Sequence, residues 1–288
     1  MTPQEASGGN AEQIKFWNEV GGPRWVRDQL ALDAMLEPLG RIAIEALAIA
    51  GGERVLDVGC GCGATSIELA RHVGQRGEVV GVDITAAMLD RARASAQSAG
   101  IANVRFIEAD AQSYAFQPGE FDLLYSRFGV MFFADPRVAF TNLARAIRSG
   151  GRLAFVCWQS PQLNQWITVP MAAAAKHIKF TPPADPFAPG PFSFKDSERV
   201  RDVLSGAAFE DIAIEEKKTE ITLGQPGATI EEATESMLDI GPVSAALREA
   251  GPEARPTVAA AVREALAPFQ TSRGVRLGSA LWLVTCRR

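Results

Sequence analysis

The most informative part of the chain is Arg54-Val55-Leu56-Asp57-Val58-Gly59-Cys60-Gly61-Cys62-Gly63-Ala64. An apolar run ends at an acidic residue, glycine follows at three alternate positions, and a helical pattern begins over residues 65–73. Glycine has no Cβ and tolerates positive φ, so this turn can close tightly beneath a ligand. The first N–H groups of the following helix have no partner within it and face the same place. This pattern predicts a site for a nucleotide-like cofactor at the end of a strand.

Two kinds of cofactor loop fit these residues. Gly59, Gly61 and Ala64 satisfy the dinucleotide pattern G-x-G-x-x-G/A, and Asp83 follows at the spacing at which an acid binds a ribose. The second is a loop of the form Asp/Glu-x-Gly-x-Gly-x-Gly, which residues 57–63 match at every fixed position. Asp57 favours the second loop, because a carboxylate at the strand end repels a pyrophosphate and attracts a cofactor with sulfonium and ammonium groups.

The composition is that of an ordinary globular protein. The 288 residues are 47% hydrophobic and 22% charged, which suits one large domain with a buried core. The formal net charge is −5 and no Lys/Arg cluster stands out, which disfavours nucleic acid as a partner. No apolar run reaches the ~18 residues of a membrane span. Residues 1–10 are polar, show no targeting pattern and are predicted to be disordered.

The four cysteines are Cys60, Cys62, Cys157 and Cys286. They form no C-x₂-C pair and no histidine cluster accompanies them, so no metal site is predicted. Unpaired cysteines favour a reducing compartment, and we expect a cytoplasmic protein. The two cysteines of the glycine loop are interpreted as small side chains in a tight turn, with thiol chemistry as the alternative.

Short β-branched runs alternate with helical patterns between residues 53 and 156, which predicts βαβ units and a parallel sheet. Strands are predicted at residues 53–58, 78–82, 103–108, 121–125, 152–157, 209–222 and 275–287. The ends of the first four strands carry candidate contact loops at residues 57–63, 83–84, 109–112 and 125–129. Strand ends form the ligand crevice of open α/β sheets, so we expect these loops to meet in one site.

Four blocks in order carry a resemblance to a known family: VLDVGCGCG at 55–63, VGVD at 80–83, ADA at 109–111 and SGGRL at 149–153. Residues 53–158 resemble class I S-adenosylmethionine-dependent methyltransferases, nearest the ubiquinone/menaquinone-biosynthesis type and its small-molecule relatives. The resemblance implies an α/β, Rossmann-like doubly wound sheet of seven strands in the order 3-2-1-4-5-7-6, with strand 7 antiparallel and helical cap insertions. It also implies S-adenosylmethionine as the cofactor.

The whole chain, residues 1–288, is then expected to form a single methyltransferase domain. Its expected parts are an N-terminal helical lid at 1–50, a cofactor-binding core at 51–158, cap insertions around the substrate at 159–208 and 228–270, and the final strand pair at 209–222 and 275–287. The alternative for the N-terminal tryptophans, including Trp25, is plain packing against the sheet. Prolines predict a non-helical connection over residues 181–194, and its phenylalanines are candidates for lining an apolar pocket. They are Phe180, which directly precedes this connection, and Phe187, Phe192 and Phe194 within it.

Five residues near the second and third strands are expected to bind adenosine. Asp83 ends the second strand, where its carboxylate is expected to accept hydrogen bonds from both ribose hydroxyls; the alternative is capping of the next helix. By resemblance Asp110 and Ala111 meet the adenine, the alternative for Asp110 being a solvated loop acid. Ile84 and Met88 are expected on the adenine faces, although Met88 also has the spacing of a core residue.

The remaining candidates surround the reacting end of the cofactor. Asp57 is expected to hold the glycine loop or to meet the cofactor's ammonium group. Ser126 and Arg127 are expected near the methionyl group and the acceptor, with an ion pair as the alternative for Arg127. His177 is the candidate general base, the alternative being an exposed helical residue. The cofactor-binding loop residues are Gly59, Cys60, Gly61 and Gly63.

These patterns together predict methyl transfer from S-adenosylmethionine to a small, apolar or aromatic acceptor by in-line displacement. The alternatives are an NAD(P)-dependent oxidoreductase and a non-catalytic cofactor-binding regulatory module. Neither Tyr114 nor Tyr125 has lysine four residues later, so the short-chain dehydrogenase pair is missing. The Asn/Asp-Pro-Pro-aromatic motif is also missing after the fourth strand, which disfavours DNA and protein glutamine as acceptors. A homo-oligomer stays possible.

Overall fold

The computed structural model describes residues 10–288, so the disorder predicted for residues 1–10 falls, except for Asn10, outside the described part of the chain. The strands are β1 (Arg54–Val58), β2 (Glu78–Asp83), β3 (Val104–Glu108), β4 (Phe121–Arg127), β5 (Ile147–Trp158), β6 (Glu210–Thr222), β7 (Gln270–Thr271) and β8 (Gly274–Arg287). The helices are α1 (Ala11–Phe16), α2 (Gly22–Arg27), α3 (Gln29–Leu47), α4 (Ala64–Val73), α5 (Ala86–Ser98), α6 (Pro136–Ala146), α7 (Gln165–Ala174), α8 (Ser197–Gly206), α9 (Ile230–Asp239), α10 (Gly241–Ala250) and α11 (Arg255–Leu266). A π-helical segment, Trp17–Gly21, joins α1 to α2.

The central sheet has the strand order β3-β2-β1-β4-β5-β8-β6. Strands β1 to β5 are parallel, whereas β8 is antiparallel to both of its neighbours. The two-residue β7 lies off this path and pairs with β8. Strand β8 is therefore the predicted seventh strand, and the predicted order and its antiparallel member are confirmed.

Helices cover the sheet, which explains why its central strands do not alternate between apolar and polar residues. Helix α3 packs on β4 and β5, α4 on β1 and β2, and α6 on β5. In β1, Val55, Leu56 and Asp57 are all fully buried. The buried position of Asp57 is therefore fixed by the sheet itself.

Strand β5 begins earlier than predicted. It starts at Ile147, directly after α6, whereas the sequence pattern placed its start at 152. The pairing of β4 with β5 shifts register between Phe121 and Leu123, and Gly150 has a φ of 70°. An irregular segment thus precedes the regular part of the β4–β5 pairing. Because this segment contains glycines, the sequence pattern did not indicate a strand before residue 152.

The two insertions have the predicted local character. The proline-rich residues 181–194 form no helix. Helices α9, α10 and α11 are separated at Gly241 and Gly251, whose φ values are 65° and 95°. Helices α10 and α11 pack on α7, so the two segments predicted as cap insertions contact each other. Within residues 10–288 no helix is both long and apolar enough to cross a membrane.

Candidate cofactor and acceptor site

The glycine loop after β1 is too tightly packed to accept side chains. Gly59, Gly61 and Gly63 have φ values of 69°, 55° and 82°. A Cβ on Gly59 would lie 2.8 Å from the Cα of Gly129, and one on Gly61 would lie 2.9 Å from the Cε of Met88. The loop therefore needs glycine both for its backbone conformation and for its contacts.

Asp83 ties this loop to the turn after β2. Its Oδ2 accepts a hydrogen bond of 2.9 Å from the N–H of Gly61, and its Oδ1 accepts one of 2.9 Å from the N–H of Thr85. Burial raises the pKa of this carboxyl, while the N–H donors act to lower it. The alternative expected for Asp83, a contact at the start of the next helix, is thus present as the bond from Thr85. Asp83 also binds the glycine loop through the N–H of Gly61. The residue also lines the cleft described below.

Asp57 is fully buried under the start of α4. Its Oδ2 accepts hydrogen bonds from Thr65 Oγ1 at 2.7 Å and Ser66 Oγ at 2.6 Å. Its Oδ1 has no hydrogen-bond partner among residues 10–288. Desolvation raises the pKa of Asp57 to about 6, although the two hydroxyl donors oppose that shift. The loop-holding role expected of Asp57 fits this geometry, and it leaves one buried carboxylate oxygen unpaired.

The strand ends and the N-terminal helices enclose one large cleft. Its empty space, including the open mouth, is about 1250 Å³. Ten of the predicted site residues line it: Trp25, Gly59, Cys60, Gly61, Asp83, Ile84, Met88, Asp110, Ala111 and Arg127. The expectation that the four strand-end loops meet in one place therefore agrees with the structure.

Four other predicted residues do not line this cleft. Asp57 lies beneath the loop, and Gly63 packs on Ala92. Ser126 is fully buried and donates a 2.7 Å hydrogen bond to the carbonyl of Val58, so it joins the ends of β1 and β4. His177 lies in an exposed turn after α7. The structure therefore does not bring His177 to the cleft, and its position is that of the exposed alternative.

The loop cysteines are buried and reduced. Burial raises the pKa of Cys60 well above its ordinary value and that of Cys62 to about 12. Both thiols therefore stay protonated at neutral pH and are weak nucleophiles. In the described part of the chain no group of three or more His, Cys, Asp or Glu side chains has the arrangement of a metal site.

Comparisons with known proteins now identify the family. A family profile described as a methyltransferase domain matches residues 55–151. The ubiquinone/menaquinone biosynthesis C-methyltransferase UbiE of Azotobacter vinelandii is 31% identical over 183 residues, which are 60% of this chain and 72% of that protein. The chain belongs to the S-adenosylmethionine-dependent methyltransferases.

The chain is also similar to a second curated methyltransferase and to a solved structure, over different parts of its length. The aklanonic acid methyltransferase DauC of Streptomyces sp. (strain C5) is 36% identical over 128 residues, 44% of this chain and 58% of that protein. The matches span about half the length of the first curated relatives. The crystal structure of the YcgJ protein of Bacillus subtilis has a TM-score of 0.58 and 18% identity, and covers 88% of this chain and 98% of that one. That similarity supports the fold.

The cofactor of this family is S-adenosylmethionine. The site fits it on structural grounds. Asp57 Oδ1 is a buried oxygen with no partner in residues 10–288, and a cationic cofactor supplies a compensating charge near it. Gly59 and Gly61 both line the cleft, and because they have no Cβ their backbone is open to a ligand there.

The far end of the methyltransferase cleft is aromatic, but its residues are not those expected. None of the four phenylalanines of the 180–194 segment lines it. Phe194 instead packs in the core against Phe140, with ring centroids 6.1 Å apart. The cleft is lined by residues that the sequence reasoning missed: Leu32, Met35, Leu36, Phe128, Met131, Phe132, Phe133, Trp158, Trp166 and Ile240. The available signal was the apolar run directly after β4, at a strand end where ligands collect.

Proposed function

We propose that this chain transfers a methyl group from S-adenosylmethionine to a small, apolar or aromatic acceptor. The observation that carries this proposal is the continuity of the cleft. Asp110, Asp83 and the glycine loop lie at the ends of β3, β2 and β1, whereas the stacked rings of Phe128 and Trp158 lie at the ends of β4 and β5, on the other side of β1 in the sheet. Such a cleft has room for a cofactor and an acceptor side by side.

In this proposal the adenosine lies across the ends of β2 and β3. Asp83 accepts hydrogen bonds from the ribose hydroxyls, and Asp110 with Ala111 meets the adenine. Ile84 and Met88 pack on the adenine ring. All five residues line the same cleft, which supports this placement.

The acceptor is proposed to lie against the aromatic end. The rings of Phe128 and Trp158 stack with centroids 4.2 Å apart and 13° between their planes. Trp166 lies against Trp158 at 4.9 Å. Phe128 also has a φ of 60°, a strained conformation for a bulky residue, and such strain is concentrated at functional sites. Flat apolar surfaces of this kind favour a flat apolar acceptor.

The chemistry that we propose is an in-line displacement, for which the bound cofactor supplies an activated methyl group with a good leaving group. The chain's contribution is then to hold the two reactants in line and to exclude water. Effective molarities for well-oriented pairs reach ~10⁵ M or more, so positioning alone supplies a large part of such an acceleration. His177 as the general base is a proposal that the exposed position of this residue does not support.

The N-terminal helices are proposed to act as a lid over the cofactor. Trp17 and Trp25 line the cleft with their ring centroids 5.9 Å apart. Arg24 Nη1 of α2 donates hydrogen bonds to Ser244 Oγ at 2.8 Å and to the carbonyl of Asp239 at 3.3 Å. These bonds join the lid to the cap formed by the second insertion.

The lid is tested by the rate of cofactor release. Arg24→Gln removes two partly buried bonds, so we expect S-adenosylhomocysteine to dissociate about 10-fold faster. Stopped-flow tryptophan fluorescence measures this rate, and Glu235→Gln, which removes an exposed ion pair to Arg255 outside the lid, is the control. Equal release rates in wild type and both variants would show that the helices only pack against the sheet.

The methyltransferase proposal is tested by transfer of a labelled methyl group. The protein is incubated with S-adenosylmethionine carrying a labelled methyl and with a panel of flat phenols, hydroquinones and aromatic acids. We expect a labelled product, and we expect Trp158→Ala to raise the acceptor KM while the cofactor Kd stays unchanged. Cofactor binding without transfer to any acceptor would favour the regulatory module instead.

We further propose that the protein works in the cytoplasm and binds no nucleic acid. Light scattering would measure the molar mass in solution and so show whether the chain forms a homo-oligomer. All four cysteines are free and buried in the structure, which agrees with a reducing compartment.

A further inference from the structure

Arg127 lies at the end of β4, directly beside the glycine loop. The register pairs Asp57 with Tyr125, and the hydrogen bond from Ser126 to the carbonyl of Val58 continues this alignment by one residue. The next pair along the two strands is therefore Arg127 and Gly59. Strand order reverses between β1 and β4, and this is the place where open α/β sheets bind ligands.

The guanidinium of Arg127 is held in place but only partly paired. Its Nη2 donates a 2.9 Å hydrogen bond to Asp33 Oδ1 of α3, and its side chain is only 10% exposed. The aliphatic stem packs on Gly40, where a Cβ would lie 2.8 Å from its Cδ. No hydrogen bond within residues 10–288 involves Nε or Nη1 of Arg127. Arg127 lines both the cleft and an adjoining pocket that contains Asp33, and its Nε and Nη1 have no protein partner within residues 10–288.

A nearly buried guanidinium with unused donors is costly unless an anion completes its hydrogen bonds. Arginine matches a carboxylate especially well, because its parallel N–H groups can bind both oxygens. Asp33 accepts only one of the two Nη2 hydrogens, so the other Nη2 hydrogen and the parallel N–H beside it remain as such a pair. A carboxylate that enters the cleft is thus the group that Arg127 is built to receive.

The order of polar groups along the strand ends indicates which carboxylate this is. Asp110 follows β3, Asp83 ends β2, the glycine loop follows β1, and Arg127 ends β4. These four strands are consecutive in the sheet and span about 14 Å at the usual strand spacing. With adenosine at the Asp110 and Asp83 end, the amino-acid end of the cofactor reaches β4. The only anionic group of S-adenosylmethionine is the carboxylate at that end.

We propose that Arg127 binds the methionyl carboxylate of S-adenosylmethionine through the second hydrogen of Nη2 and the parallel N–H beside it, and that Asp33 is a positioning residue that fixes the guanidinium through the first Nη2 hydrogen. This assignment rests on the cofactor placement proposed above. It gives Arg127 a role in binding the methyl donor rather than in recognising the acceptor.

The test is calorimetry with two ligands that differ only in this group, S-adenosylmethionine and decarboxylated S-adenosylmethionine. Wild type is expected to prefer the first. Arg127→Gln is expected to weaken S-adenosylmethionine about 10-fold to 100-fold, the range for a hydrogen bond between charged groups, and to leave the decarboxylated ligand within about 3-fold. Retained binding of the decarboxylated ligand shows at the same time that the variant is folded.

Two further variants keep this test sharp. Arg127→Lys retains the positive charge but loses the parallel N–H donors of the guanidinium. Asp33→Asn removes the carboxylate that accepts a hydrogen bond from Arg127 Nη2. Both variants are expected to reduce the preference for S-adenosylmethionine by less than Arg127→Gln does. Arg152→Gln is the control, because Arg152 is also a partly buried arginine paired with an acid, Glu53, but does not line the cleft. It is expected to leave the preference unchanged.

The possible failures are distinguishable. If wild type binds neither ligand, the proposed function itself fails. If wild type binds both ligands and Arg127→Gln weakens neither, or weakens both equally, only the carboxylate assignment is overturned. Unchanged cofactor binding together with a raised acceptor KM would move Arg127 to the acceptor.

Discussion

Replacing Asp57 by asparagine should make the protein's stability less dependent on pH. In the folded protein this carboxyl is fully buried and burial raises its pKa from 3.8 to about 6. The folded state therefore holds the proton more tightly than the unfolded state does. As pH rises from 3.8 to about 6, the free energy of unfolding of the wild type falls, because Asp57 must ionise without adequate solvation. Asparagine does not ionise and removes this loss.

The size of the effect follows from the shift. One pKa unit corresponds to about 1.4 kcal/mol, so the free energy of unfolding of the variant should gain about 3 kcal/mol on the wild type between pH 4 and pH 7. The asparagine oxygen can replace Oδ2 as the acceptor for Thr65 and Ser66. Its NH₂ group, however, would lie where Oδ1 has no partner among residues 10–288, at a cost of about 1–3 kcal/mol. That cost is the same at every pH, so the pH dependence of the difference is the quantity to measure.

The assay is urea unfolding of both proteins at intervals from pH 4 to pH 7.5, followed by tryptophan fluorescence. Asp122→Asn is the matched control, because hydrogen bonds and charges from Arg148 outweigh partial burial and lower the pKa of Asp122. The contribution of Asp122 is complete above pH 4, so its variant should differ from wild type by a constant amount over this range. A difference between Asp57→Asn and wild type that stays constant within about 0.5 kcal/mol, below the ~1.4 kcal/mol of one pKa unit, would refute the desolvation argument.

Three further predictions concern the residues around the loop. Gly59→Ala places a Cβ 2.8 Å from the Cα of Gly129 at a φ of 69°. We expect it to lower the free energy of unfolding by more than ~1 kcal/mol and to abolish S-adenosylhomocysteine binding in calorimetry. Gly74→Ala is the control, because Gly74 has a similar φ but open space around it, and this variant should retain binding. Tyr125→Phe removes a buried 3.0 Å hydrogen bond to the carbonyl of residue 40 and should lower the unfolding free energy by about 1 kcal/mol in urea, with unchanged cofactor affinity. Cys60 should resist iodoacetamide in the folded protein at pH 8 and react only in denaturant, as measured by mass spectrometry, because burial keeps its thiol protonated.

The sequence predicted the fold and the meeting of the strand-end loops in one cleft because both depend on local patterns. The Asp57-to-Gly63 loop, Asp83 and Asp110 each follow a recognisable strand, and parallel strand ends meet at one edge. These residues therefore come together whatever the details of packing. That the last strand pair contains the antiparallel strand was implied by the family resemblance, and the structure confirms it.

The aromatic lining of the cleft, where we propose the acceptor binds, was harder to predict because it depends on contacts between distant segments. Trp158 and Trp166 line the cleft, but their sequence positions are equally typical of a core. The partner of Arg127 is Asp33, 94 residues earlier in the chain, and no local spacing indicates that pair. The phenylalanines of the proline-rich segment were expected in the cleft, yet Phe194 is used to fill the core between α6 and β5.

The central claim is that the cleft binds S-adenosylmethionine through Asp83, and calorimetry with S-adenosylhomocysteine tests it most directly. The account predicts binding by wild type and a loss of more than about 10-fold in Asp83→Ala, since the carboxylate both contacts the ribose and holds the N–H of Gly61. Tight binding of NAD without binding of S-adenosylhomocysteine would contradict it.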